Sequence, residues 1–289
     1  MAVKVKDYAS EVKPTWCPGC GDYGILAALK QALAQADIAP HQALIVTGIG
    51  CGSKLPDYAT VNGFLTLHGR ALPVATGARL ANHGLKVLTV HGDGDGLGLG
   101  MGHFIHTARR NVNIVDILQN NQIYGLTKGQ YSPTSDHGFV TSTSRDGAIE
   151  MAAPPLALAL AAGATFVGRG FAGDVKHLAG LIGKALEHEG YALLDVLQPC
   201  VTFNRKNTYD WYRERVYDLQ EAGHDPADRS AAFEKALEWG DQIPIGLVYQ
   251  SQRPTYEEQV PGLRAGPLAT RMLKPLTTQQ VERLRAEFI

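Results

Sequence analysis

Three things are scarce in this 289-residue chain, and each scarcity closes off a class of protein. Charge of one sign is lacking: 27 Lys and Arg stand against 28 Asp and Glu, a net charge of −1, with no basic block, so nothing draws nucleic acid in bulk. Long apolar runs are lacking too. No stretch approaches the roughly 18 apolar residues that span a bilayer, and the N-terminus MAVKVKDYASEVK has no apolar signal-peptide core, so a cytoplasmic protein with no membrane role is expected. Cysteine is limited to four residues, which in a reducing compartment read as ligands or plain core residues rather than disulfides. Nucleotide motifs are missing as well. There is no Walker A sequence, and although Gly19 to Gly24 spells G-x-G-x-x-G, no strand precedes it, which disfavours a nicotinamide or ATP site.

What is present is 45% hydrophobic residues and 32 glycines, the latter gathered at the ends of apolar segments. The densest case is residues 87–127. An apolar strand (Val87, Leu88, Val90) breaks into Gly92-Asp93-Gly94-Asp95-Gly96, continues through Gly98, Gly100 and Gly102 into a helix ending at Arg109-Arg110, and a second apolar strand over 114–118 runs into Asn120-Asn121. Ligands bind beyond the carboxyl ends of strands in an open parallel sheet, and glycines let backbone N–H groups approach a phosphate. Asp93 and Asn121 add the hard oxygens that magnesium prefers. The pattern reads as a crevice for a diphosphate held through Mg²⁺; read locally, Asp93 and Asn121 are turn caps.

The remaining segments alternate. Helices are expected over 25–36, 73–82, 154–162 and 174–188, the last with Leu178, Leu181, Ile182 and Ala185 at helical spacing; strands are expected over 43–47, 165–167 and 191–197. A long polar loop covers 128–146. Together these predict an α/β fold with a doubly wound parallel sheet over residues 1–205. Beyond Cys200 the character changes. Tyr209, Trp211, Tyr212 and Tyr217 concentrate aromatics, a helix is expected over 231–239, the chain is proline-spaced from Ile243, and a last helix covers 278–288. Residues 206–289 therefore read as an irregular C-terminal extension, packed on the domain or on a partner subunit.

Cys17 and Cys20 form a chelating C-x-x-C pair, and Cys51 and Cys200 follow strand ends. Four thiolates match a 4Fe–4S cluster or a structural Zn²⁺, and spacing alone leaves both open beside free thiols. His103 and His106, three apart on a helix, read as solvated or hydrogen-bonded histidines more readily than as a metal pair. His68 lies at an element junction. Arg70 can meet a carboxylate or phosphate, or sit in a surface salt bridge.

Gly92-Asp93-Gly94 with Asn120-Asn121 resembles the thiamine diphosphate motif, which begins GDG and ends NN. With Trp16-Cys17-Pro18-Gly19-Cys20-Gly21, Gly48-Ile49-Gly50-Cys51, His68-Gly69-Arg70, Asp95 and Tyr124-Gly125-Leu126-Thr127, the chain resembles the beta subunit of 2-oxoacid:ferredoxin oxidoreductases over about residues 14–205. The C-terminal extension adds little to the likeness. The resemblance implies a thiamine diphosphate-binding fold, with the cofactor near Gly50, Cys51, Gly52, His68, Gly92, Asp93, Gly94, Asp95, Asn121, Tyr124, Gly125, Leu126 and Thr127. It implies Mg²⁺ on Asp93, Asn121 and the Ile123 carbonyl, and one 4Fe–4S cluster on Cys17, Cys20, Cys51 and Cys200, which moves zinc down. It also implies an alpha subunit that bears the pyrimidine-binding domain and the activating glutamate, in an αβ or (αβ)₂ assembly, with ferredoxin as electron acceptor. The implied reaction is coenzyme A-dependent oxidative decarboxylation of a 2-oxo acid, reversible as carboxylation, with His68, Arg70 and Lys128 as catalytic candidates. Lys128 stands where pyruvate-specific relatives tend to have glycine, which favours 2-oxoglutarate over pyruvate or a broad range. The rival readings are a non-redox thiamine enzyme with structural zinc and a non-catalytic scaffold domain.

Overall fold

The near-continuous apolar segments become the middle of one sheet, as expected for parallel strands covered on both faces. The computed structural model describes residues 2–271 and 275–287. Its strands are β1 (Ala43–Thr47), β2 (Asn62–Leu65), β3 (Lys86–Gly92), β4 (Ile114–Asn120), the short hairpin β5 (Ile123–Tyr124) and β6 (Gln130–Tyr131), β7 (Phe166–Phe171), β8 (Tyr191–Leu197), β9 (Val216–Asp218) and β10 (Ile243–Gln250). Apart from the hairpin they form an eight-stranded sheet in the order β2-β1-β3-β4-β8-β7-β10-β9. Every pairing is parallel except that of β10 with β7. The expected adjacency of the two site strands is present: β3 pairs in parallel with β4, Gly92 opposite Gln119.

The helices are α1 (Asp22–Gln35), α2 (Ala71–Ala81), α3 (Met101–Arg110), α4 (Pro155–Ala162), α5 (Val175–Glu187), α6 (Tyr209–Arg213), α7 (Arg229–Leu237), α8 (Tyr256–Gln259) and α9 (Thr278–Ala286). Helix α1 packs on α5, and α3, α4 and α7 pack in series, giving separate apolar cores for the two groups. Local chemistry sets the ends. Asp174 caps α5 by accepting the His177 N–H, while Pro155 opens α4 and Gly163, at φ +88°, closes it in the left-handed conformation that glycine tolerates. Asn111 ends α3, also left-handed, and its buried amide ties Tyr191 N and Thr165 Oγ1 to the Arg253 carbonyl.

The C-terminal third is less irregular than its prolines predict. Residues 243–250, expected as proline-spaced tail, form β10 inside the main sheet, so a boundary at 205 cuts a continuous sheet. Pro244 lies in the β10–β9 register, and the antiparallel pairing with β7 begins beyond it at Gly246 and carries a register shift near Val248, so the missing N–H is tolerated. The extension also reaches the 128–146 loop, where Asp136 accepts from Lys206 Nζ (2.6 Å) and Trp239 Nε1 (3.1 Å). Helix α7 runs slightly earlier than the expected 231–239, and α9 ends at Ala286; Phe288, expected to be helical, lies outside the described residues. Among the described residues no helix is long and apolar enough to cross a membrane.

Candidate functional site

The carboxyl ends of β1, β3 and β4 open into a cleft of about 80 Å³. It is lined by Gly50, Cys51, Gly52, His68, Gly92, Asp93, Gly94, Asp95, Asn121, Ile123, Tyr124, Gly125, Leu126 and Thr127, so every residue expected near a cofactor is brought to one place. A Cβ built on Gly50 or Gly92 meets no atom within 4 Å, so both present bare backbone to open space. Gly94 and Gly98 serve a different purpose. A Cβ there would lie 2.2 Å from Tyr124 Cε1 and 2.4 Å from Tyr124 Oη, and Tyr124 Oη donates to the Gly94 carbonyl (3.0 Å). The glycine-rich segment Gly94–Leu99 is a π-helical turn leading into α3, a form that recurs at functional sites.

Asp93 is buried at the floor of the cleft, where Ser132 Oγ and Thr134 Oγ1 both donate to its Oδ2. Burial pushes its pKa up to about 6, while those hydroxyls and the Gly94 N–H pull the other way. A divalent cation would supply the positive charge this buried carboxylate lacks. Asn121 is oriented by the Ile123 N–H, which donates to its Oδ1 (3.1 Å). Asp95 gathers the opposite wall. Its Oδ1 accepts from Gly69 N (2.8 Å) and Ile49 N (3.1 Å) and lies 2.6 Å from His68 Nδ1, a contact not aligned as a hydrogen bond. A Cβ on Gly48 would strike Asp95 Oδ2 at 1.8 Å, which explains the glycine after β1.

Buried polar chains hold this floor from below. Arg169 Nε donates to Asp195 Oδ2 (2.9 Å), Asn120 Nδ2 to Asp195 Oδ1 (2.9 Å), and Asn120 Oδ1 lies 2.9 Å from the Thr134 hydroxyl that grips Asp93. Nearby, His91 Nε2 lies 2.6 Å from Asp116 Oδ1, which Thr89 also reaches, and Tyr191 Oη donates to Asp116 Oδ2 (2.5 Å). Burial disfavours the charged His91 ring, yet Asp116, its hydrogen bond and Asp95 together outweigh burial and raise its pKa.

A second cavity, about 200 Å³, adjoins the first and shares Cys51, Asn121, Gly125, Leu126 and Gln198 with it. Cys17, Cys20, Cys51 and Cys200 all line it, as free thiols. Trp16 forms part of the wall, donating from Nε1 to the Cys51 carbonyl (2.7 Å) and meeting Tyr23 and Tyr58 edge-on. Burial pushes the Cys51 thiol up to about 11, with Asp22 and Cys200 adding to it; burial, then Asp22, raises Cys20 further still. Bare thiolates are disfavoured here, and a cationic metal centre would reverse that. Among the described residues no three His, Cys, Asp or Glu side chains are gathered tightly enough to hold a single ion. Four thiols round one cavity are a donor set that a 4Fe–4S cluster and a tetrahedral Zn²⁺ both use.

The three catalytic candidates do not converge. His68 lines the cleft, Lys128 lines the thiol cavity, and Arg70 is exposed, donating to the Gly69 (3.1 Å) and Leu99 (3.4 Å) carbonyls. His103 and His106 stand on α3 and belong to no metal-binding group among the described residues. Sequence reasoning missed Ser132, Thr134, Asp22, Gln119 and Gln198. The hydroxyl-rich Ser132-Pro-Thr-Ser135 inside the polar loop was the one available signal.

Residues 46–196 match the family model of the thiamine pyrophosphate enzymes' C-terminal TPP-binding domain, and residues 200–265 match that of the C-terminal part of the pyruvate ferredoxin oxidoreductase beta chain. The second match overturns the expectation that the C-terminal extension adds little. The chain is 44% identical over 267 residues to subunit beta of 2-oxoacid:ferredoxin oxidoreductase 1 from Aeropyrum pernix, covering 89% of this chain and 84% of the relative. It is 46% identical over 201 residues to the 2-oxoglutarate oxidoreductase subunit KorB of Mycobacterium tuberculosis, covering 70% of this chain and 54% of that protein. Among solved structures it resembles a 2-oxoglutarate:ferredoxin oxidoreductase from Magnetococcus marinus with 2-oxoglutarate, coenzyme A and succinyl-CoA bound. The TM-score is 0.90 at 42% identity, covering 98% of this chain and 96% of that one.

Proposed function

The chain belongs to the beta subunits of the 2-oxoacid:ferredoxin oxidoreductases, and from that membership we propose that it serves the coenzyme A-dependent oxidative decarboxylation of 2-oxoglutarate. In this reading it holds the diphosphate end of thiamine diphosphate through Mg²⁺ and carries one 4Fe–4S cluster that passes electrons to ferredoxin. The observation that carries the reading is the shared wall: the Asp93–Asn121 cleft and the four-thiol cavity meet at Cys51, Asn121, Gly125, Leu126 and Gln198.

When bound, thiamine diphosphate supplies the electron sink for decarboxylation. The protein's part is to bind and orient. Gly50 and Gly92 leave room beside the backbone, and Asp93, the Asn121 side-chain oxygen and the Ile123 carbonyl offer hard oxygens to Mg²⁺. Ser132 and Thr134 hold the Asp93 carboxylate in place. Cys17, Cys20, Cys51 and Cys200 would each take one iron. At about 80 Å³ the cleft is well below the roughly 300 Å³ of a complete small-molecule site, which supports completion by the pyrimidine-binding alpha subunit.

For the substrate, Lys128 is informative. It sits at φ +76°, a left-handed conformation in which a lysine costs about 1–2 kcal/mol. Lys128 is exposed and lines the thiol cavity, which shares a wall with the cleft, and the role proposed for its ammonium is pairing with the second carboxylate of 2-oxoglutarate. The names of the M. marinus and M. tuberculosis relatives agree.

The test is anaerobic co-purification with the alpha subunit. Brown protein with about four irons per beta chain, turning over 2-oxoglutarate only with thiamine diphosphate, Mg²⁺ and coenzyme A, supports the reading. Zinc without iron, or turnover without any electron acceptor, overturns it in favour of a non-redox thiamine enzyme.

A further inference from the structure

The wall between the two cavities contains a polar side chain that touches both sites. Gln198 is 2% exposed and follows directly after β8, where its backbone N–H donates to the Asn120 carbonyl (3.0 Å). Its Nε2 points at Cys20 Sγ (3.6 Å), and its Oε1 accepts from Asn121 Nδ2 (3.3 Å). One amide therefore bridges a thiol of the cluster cavity and a metal-facing residue of the cofactor cleft.

The orientation of that amide is dictated rather than chosen. The Ile123 backbone N–H can only donate, so the Asn121 atom facing it must be oxygen. Asn121 then turns its NH₂ toward Gln198, which must answer with its carbonyl oxygen, leaving the Gln198 NH₂ on the sulfur. A flipped Gln198 would set two donors against each other. Room for this side chain comes from Gly21. A Cβ there would lie 2.6 Å from Gln198 Cγ, and the Gly21 N–H is bonded to the Pro199 carbonyl (3.1 Å). The glycine directly after the C-x-x-C pair thus serves Gln198. Asp22 Oδ2 accepts from the Cys20 thiol (3.4 Å) while its Oδ1 accepts from Gln119 Nε2 (2.7 Å); a carboxylate offers the sulfur no N–H, so the donor amide on that sulfur is Gln198.

The geometry points to Gln198 as a positioning residue that raises the reduction potential of the cluster through its N–H on Cys20, while holding Asn121 in register for the cofactor. This rests on the cluster and cofactor reading given above. A donor to a ligating sulfur stabilises the reduced, more negative cluster over the oxidised one, so hydrogen bonds to sulfur tune potential upward. The same amide supports a metal ligand from behind, a role that in metal sites is worth about 10–100-fold in affinity.

The two halves of the proposal separate with two substitutions in the complete alpha–beta holoenzyme. Gln198→Met removes donor and acceptor at similar volume; Gln198→Glu at alkaline pH keeps the acceptor for Asn121 and removes the donor to sulfur. Spectroscopically monitored redox titration should show the cluster potential shifted negative in both, with iron content unchanged. Thiamine diphosphate affinity in the presence of Mg²⁺ should fall about tenfold in Gln198→Met and stay near wild type in Gln198→Glu. Unchanged potential in both variants with iron intact overturns the proposal. Loss of iron from both also overturns it, since a tuning residue is dispensable for assembly. Wild-type holoenzyme without iron instead overturns the underlying cluster reading, a distinct failure seen before any variant is made.

Discussion

His68 and Asp95 meet across the mouth of the cleft, Nδ1 to Oδ1 at 2.6 Å, with the His68 side chain 32% exposed and that of Asp95 1%. The carboxylate is anchored by the Gly69 and Ile49 N–H groups, so it is a fixed point beside the partly exposed ring. Asp95→Asn keeps an oxygen for both amides but loses the charge facing His68. Turnover should fall about tenfold, the typical size of an orienting contribution, with little change in melting temperature. Asp95→Ala leaves buried N–H groups without an acceptor and should cost about 1–3 kcal/mol as well. Calorimetry beside steady-state assays distinguishes the two, and equal melting points for both variants would refute the anchoring role.

Ser132 and Thr134 hold Asp93 from a loop that the sequence marks as merely polar. Removing both hydroxyls, as Ser132→Ala with Thr134→Ala, leaves Asp93 less restrained and raises its pKa further, because these two hydrogen bonds oppose burial. Isothermal titration should show Mg²⁺–thiamine diphosphate binding weakened by about 10–100-fold. Wild-type affinity in the double variant would show the loop to be a bystander.

Lys128 is tested by discrimination. Lys128→Ala should raise KM for 2-oxoglutarate about tenfold or more, the scale of one charge-assisted hydrogen bond, and change pyruvate kinetics little. Equal losses for the two substrates would remove Lys128 from substrate recognition. Because the residue is left-handed, Lys128→Gly should relieve backbone strain, so its melting temperature should equal or exceed that of Lys128→Ala.

His188 gives a pH dependence away from the site. It is 5% exposed, its Nε2 lies 2.8 Å from Thr165 Oγ1, and burial pushes its pKa down to about 4. The unfolded ring takes up a proton near its ordinary value of about 6.5, where the folded one stays neutral. Its contribution to stability is therefore complete above that value and is lost as pH falls toward 4, by at most about 1.4 kcal/mol per pH unit. His188→Gln should flatten this part of the acid slope in thermal unfolding; an unchanged slope would contradict the depressed pKa.

Much of the architecture was legible from periodicity and apolar runs, because parallel strands buried on both faces leave continuous hydrophobic segments, as in β3, β4 and β8. The cleft was legible for a related reason. A ligand site at strand ends must be written as short segments following strands, and Gly92-Asp93-Gly94 and Asn121 are such segments. The family motifs at Cys17, Cys20, Cys51 and Cys200 were equally local.

What the sequence alone determined was thus the set of strand-end residues, since each is tied to its own strand by a few bonds of backbone. Tertiary structure decided the rest. It put β10 into the sheet despite Pro244, because the register lets the missing N–H fall outside the β7 pairing. It brought Ser132 and Thr134 onto Asp93 across 39 and 41 positions of chain, sent Lys128 to the thiol cavity, and set Gln198 between Cys20 and Asn121, 178 and 77 positions away. Contacts at such separations depend on how strands order and loops cross. No window of sequence records that order, because it follows from the packing of the whole sheet.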